Sequence, residues 1–211
     1  MFALLAAAQL LALNVPVAAD LTNSSDVYTT DDIPDWFVQT APMSVAYRVR
    51  AMIGLDGRLD RCVIENPSRD PRLGSLTCSL MTKRGKFQPA KWIDGSPVIG
   101  VSRFPIVWTA DADPLRPSDM DVTVSKMPDG ASRQSFVEAV VAVDENGAIK
   151  GCAARSPLFY DRKQKPIVPA LARLACAAAH GWKPVPVVSP SGQAARSVQT
   201  LVLHFTAGEK P

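Results

Sequence analysis

Histidine is scarce, with only His180 and His204 in 211 residues, and the four cysteines form no Cys-x-x-Cys pair. Both histidines stand in the C-terminal half, so a Cys/His zinc cluster cannot recur along the chain. A glycine-rich phosphate loop is missing. Basic and acidic residues, 23 and 20, nearly cancel to a net charge of +3 without a long run of either sign. The chain therefore lacks the electrostatic footprint of a nucleic-acid binder. No nucleophile stands beside a base and no carboxylate pair has a telling spacing. Asp31-Asp32 and Asp111-Ala112-Asp113 read as solvated loop acids, His180 as the end of a helix, and His204 as part of a strand. These gaps point away from an enzyme and imply no cofactor and no metal.

The hydrophobic share of 47% beside 20% charged residues is that of a folded protein. The longest apolar stretch, at the N-terminus, is shorter than the roughly 20 residues that span a bilayer. It ends in Val17-Ala18-Ala19, small residues that suit a leader peptidase, so residues 1–19 read as a signal peptide cut after Ala19; a buried N-terminal helix is the competing reading. Removal of that leader would leave no membrane anchor and place the chain in the periplasm, an oxidising compartment where disulfides persist.

A repeat organises the rest. Val45-Ala46-Tyr47-Arg48-Val49-Arg50-Ala51, the turn Asp56-Gly57 and Leu59-Asp60-Arg61-Cys62-Val63-Ile64 read as a hairpin. So do Phe136 to Val143, Asn146-Gly147 and Ala148 to Cys152. In both, glycine supplies the positive φ of a tight turn and cysteine follows five positions later. Helices are predicted over Leu73–Lys83 and Val168–Ala179, each with one further cysteine, Cys78 or Cys176. Leu73, Leu76, Leu80 and Met81, like Val168, Leu171, Leu174 and Ala178, keep helical spacing and are expected in the core. Pro169 suits a first helical turn. Each helix stops at a glycine, Gly85 or Gly181, followed by Phe87-Gln88-Pro89-Ala90 or Trp182-Lys183-Pro184-Val185. A last strand closes each copy, around Val98–Trp108 and Val198–Phe205. Residues 111–132, with Pro114, Pro117, Pro128 and Gly130, read as a linker with room for a short extended piece. The expected fold is α+β: two tandem small domains, residues 27–110 and 133–207, each a short antiparallel sheet covered by a helix. Four cysteines allow three pairings. The repeat favours Cys62 with Cys78 and Cys152 with Cys176, each bond joining strand to helix; pairing between the copies is the competing arrangement.

The first copy resembles the TonB C-terminal domain family over Val45–Trp108. Leu59-Asp60-Arg61-Cys62-Val63-Ile64, Leu76-Thr77-Cys78-Ser79-Leu80 and Lys86-Phe87-Gln88-Pro89-Ala90 look like its cysteine-paired alphaproteobacterial type. Asn66-Pro67-Ser68 and Leu73-Gly74 depart from the family pattern, and the second copy is more divergent. The resemblance implies a periplasmic protein whose last strands pair, backbone to backbone, with extended segments of outer-membrane receptors or other envelope proteins. By position those strands hold Ile99, Val101, Arg103, Phe104 and Ile106 in the first copy, and Val198, Thr200, Leu201 and Leu203 in the second. The alternative is a structural or envelope-assembly protein whose edges are self-paired, between the two domains or in a homodimer.

Overall fold

Two hairpins start the repeated units where glycine turns the chain. Gly57 and Gly147 adopt φ of 78° and 81°, and the Asp144 carboxylate accepts the N–H groups of Asn146 and Ala148 across the second turn. Gly57 is also required for space, since a Cβ there would lie 2.5 Å from the Phe87 carbonyl oxygen. The computed structural model describes residues 15–40, 45–65, 71–108, 118–157 and 167–208, without the side chains of Gln39, Thr40 and Ala46. Most of the expected leader, the Asn66-Pro67-Ser68 loop and Asp111-Ala112-Asp113 lie outside the described residues.

The N-terminal part forms strand β1 (Asp20–Leu21), helix α1 (Ser24–Val27), a 3-10 turn at Thr30–Asp32 and helix α2 (Asp35–Thr40). The first unit follows as β2 (Val45–Ile53), β3 (Leu59–Ile64), α3 (Pro71–Arg84), β4 (Phe87–Gln88), β5 (Ala90–Lys91) and β6 (Pro97–Trp108). Next come β7 (Met120–Val124) and then β8 (Gln134–Val143), β9 (Ile149–Arg155), α4 (Pro169–Ala179) and β10 (Ser197–Ala207). Strand, strand, helix and long last strand thus occur twice.

The units do not keep separate sheets. Six strands lie in the order β3-β2-β6-β10-β8-β9, with β5 beside the start of β6 and β7 beside the end of β10. All neighbours are antiparallel except where β6 and β7 run parallel to β10. The last strands meet at the centre, Ser197 to Gln199 beside Ile99 to Val101. The expected pair of short antiparallel sheets is therefore one mixed sheet. Within the expected linker, β7 is a short extended piece that pairs with Leu203 to Ala207, and Met127 is buried in the second core.

Alternation along the strands assigns the helices to opposite faces. Leu73, Leu80 and Met81 of α3 pack with Tyr47, Val49, Ala51, Ile53, Phe104 and Trp108, and the same cluster reaches Val140, Ala142 and Val198. Leu171, Ala175 and Ala179 of α4 pack with the intervening residues Val137, Ala139, Val141 and Val143, and with Leu201, Leu203 and Phe205. Beyond each helix a loop finishes the cover. Ala18, Ala19 and Trp92 lie on the α3 face, while Val187 covers Ile99 and Val101 on the other. The disulfides Cys62–Cys78 and Cys152–Cys176, with Cα atoms 5.6 and 5.7 Å apart, tie each outer strand to its own helix.

Candidate functional site

The nine residues expected to line peptide-binding edges all turn inward. Ile99 and Val101 meet Val187; Phe104, Ile106 and Val198 belong to the first core; Leu201 and Leu203 belong to the second. Thr200 and Arg103 are buried as well. The backbone is equally occupied. β10 pairs with β8 from Ser197 to Thr206 on one side, and with β6 and then β7 on the other.

Past Val101 the two last strands fork, and Arg103 fills the gap. Its backbone N–H donates to the Thr200 hydroxyl at 2.9 Å and its guanidinium donates to the Thr200 carbonyl at 2.9 Å and to Glu65 at 3.1 Å. The ring of Trp182 lies 5.0 Å from that guanidinium. Asp119 closes the fork. Its N–H donates to the Val202 carbonyl at 2.7 Å, its carboxylate accepts from the Val202 N–H at 2.7 Å, and Arg48 and Arg103 pair with it at 3.4 and 3.6 Å. Burial nevertheless pushes the Asp119 carboxyl up, against the Val202 N–H and the two arginines. The cavity left between Arg48, Arg103, Phe104, Pro105, Asp119 and Val202 is about 10 Å³, room for one water at most. Because Arg103 turns its N–H toward β10, Pro105 does so as well by alternation, and proline has no N–H to offer. The β6 edge is blunted where β10 leaves it.

Open edges lie at the outside of the sheet. Glu65 donates to the Arg48 carbonyl at 2.8 Å, and Val63 faces Arg50, so Val63 and Glu65 turn their backbone groups toward β2. Cys62 and Ile64 then turn theirs outward. On the far side Val202 turns its backbone groups to Asp119, just ahead of β7, so odd residues of β10 face β8, even residues of β8 face β9, and Ala153 and Arg155 point inward. Cys152 and Ala154 point out. Among the described residues no other strand pairs with either outer edge. An open depression of about 380 Å³ flanks the first edge, lined by Cys62, Ser75, Cys78, Ser79, Thr82 and Lys83.

A partly buried charge cluster stands at the end of β9. Arg155 contacts both Asp20 oxygens at 2.6 Å and Glu138 at 2.7 Å. Burial raises the Glu138 carboxyl although Arg155 opposes it. Of the polar residues weighed from sequence, Asp32 accepts the Thr29 N–H at 2.9 Å and pairs with Arg84 at 2.6 Å, which makes it a cap. His180 is the C-cap of α4. His204 stacks on Phe136 at 4.4 Å and its Nδ1 lies 3.1 Å from Asp121; Ser118 reaches the same carboxylate, not the imidazole. Among the described residues no three His, Cys, Asp or Glu converge as a metal site, and no helix is long and apolar enough to cross a membrane.

Strand addition was assigned from sequence, by family position, to the last strands, which are buried here. The cysteines mark the outer strands, Cys62 on β3 and Cys152 on β9. Comparison with protein-family models, with curated proteins and with solved structures gives no match for this chain.

Proposed function

We propose that the chain is a non-enzymatic periplasmic protein of TonB-like design, two ββαβ units fused through their last strands, that holds extended segments of envelope proteins by strand addition at β3. The observation that carries this reading is the outward backbone of Cys62 and Ile64, unpaired among the described residues, on a strand braced by the Cys62–Cys78 bond. Main-chain pairing supplies affinity in such capture, and an edge already held rigid loses little entropy on binding. The duplicated element order, the two intra-unit disulfides and the resemblance over Val45–Trp108 support it. The disulfides are compatible with an oxidising compartment.

A second reading is a structural envelope protein with self-paired edges. The parallel pairing of β6 with β10 and the sealed Arg103–Pro105 edge favour it. Titration of the 15N-labelled protein with extended receptor-derived peptides separates the two. Shifts of the Cys62 and Ile64 amides are expected for capture at β3. Shifts confined to β10 would return the site to the last strand, and no shift on any strand would leave the structural reading.

A further inference from the structure

The residues just before the expected leader cut are packed against the sheet. Val17 donates its N–H to the Lys91 carbonyl and accepts the Lys91 N–H, both at 2.9 Å. Ala18 and Ala19 are 1% and 0% exposed. The Ala19 carbonyl accepts the hydroxyl of buried Ser102, Asp20 pairs with Gln88, and Leu21 with Phe87. Asp20 also brings its carboxylate to Arg155.

The sheet beneath is shaped to receive this segment. A Cβ on Gly100 would sit 2.5 Å from the Ala19 Cβ and 3.2 Å from that of Ala90. On Gly151 a Cβ would lie 2.8 Å from the Ile93 side chain and 3.7 Å from Pro16. Glycine inside a strand weakens it unless another backbone crosses closely, and here one does. The slot thus has a glycine floor, the Lys91 backbone as one wall, the Ser102 hydroxyl as a donor, and Arg155 at its end.

We propose that this slot is a peptide-binding groove whose resident ligand is the chain's own Pro16–Leu21, and that the exported protein keeps this segment, so that leader removal falls upstream of Pro16 and not after Ala19. The groove selects small residues over Gly100, where any larger side chain than that of Ala19 would collide with the strand, and a carboxylate beside Arg155. Cutting after Ala19 would leave the Ser102 hydroxyl and the Lys91 edge without their partners. The inference does not depend on strand addition at β3.

Intact-mass and N-terminal peptide analysis of the protein recovered from the periplasm tests it. An N-terminus at or before Pro16 is the expected result, and a chain beginning at Asp20 overturns the proposal. Hydrogen exchange on the full chain gives a second reading. In Ala19→Leu the Lys91 amide should exchange at least tenfold faster while Val140, paired on both sides, keeps its protection; unchanged exchange at Lys91 would show that the segment does not occupy the groove.

Discussion

Asp32 and Arg84 form an ion pair across 52 residues of sequence, joining the N-terminal turn to the end of α3. The arginine and the Thr29 N–H hold the Asp32 carboxyl at about 2, below its ordinary 3.8. A carboxylate stabilised in the folded state contributes fully above its unfolded value and loses that contribution as pH falls through the folded one. The window therefore runs from about pH 4 down to about pH 2. Since the pair is partly solvated, the effect is small: Asp32→Asn should lower the melting temperature by about 1–3 °C at pH 7. The gap from the parent should close by pH 2 in thermal melts, and a gap that persists there would assign the role of Asp32 to its cap alone. Glu138 and Asp119 act in the opposite sense, because their raised carboxyls make ionisation costly in the folded chain and favour it as pH falls. None of this was readable beforehand. Asp31-Asp32 looked like ordinary loop acids, and nothing near them in sequence announces an arginine on a distant helix.

The elements themselves were legible wherever their cause is local. Asp-Gly and Asn-Gly turns, leucine spacing and glycine stops gave both hairpins and both helices, with α3 extending slightly past each expected end to Pro71–Arg84. For the short extended piece expected between the units, neither position nor partner was legible, because β7 pairs 83 residues away, at Leu203, and prolines surround it. The second unit also departs from the first. Where Ala90 pairs with Val98 through the backbone, Val185 is held by the Gln199 side chain, which accepts its N–H at 3.0 Å and donates to its carbonyl at 2.8 Å. The disulfides, by contrast, followed from duplication. Closing a loop of 24 residues, Cys152–Cys176 restricts the unfolded chain by roughly 3 kcal/mol in the entropy model. Replacing both cysteines with alanine should cost about that much in urea unfolding; a loss below about 1 kcal/mol would mean that the helix stays on the sheet without its tether.

At the scale of the molecule, the sequence showed two copies but left their relation open, since a run of buried valines and leucines does not name its partner strand. The β6–β10 pair and the shared core of Val140, Ala142 and Val198 with α3 bind both units into one body. Calorimetry should therefore record a single transition with equal van't Hoff and calorimetric enthalpies, whereas two resolved transitions would mean that the units melt independently. The central position of β10 also decides when the structure can be finished. Val101 meets Gln199, a contact between the middle of the chain and its end, so a polypeptide emerging N-terminus first must wait with β6 exposed until nearly its last residues arrive. Such long loop closure slows folding and leaves sticky intermediates. The final strand acts as the clasp, and a chaperone that shields β6 during this delay would protect the protein at its most vulnerable moment.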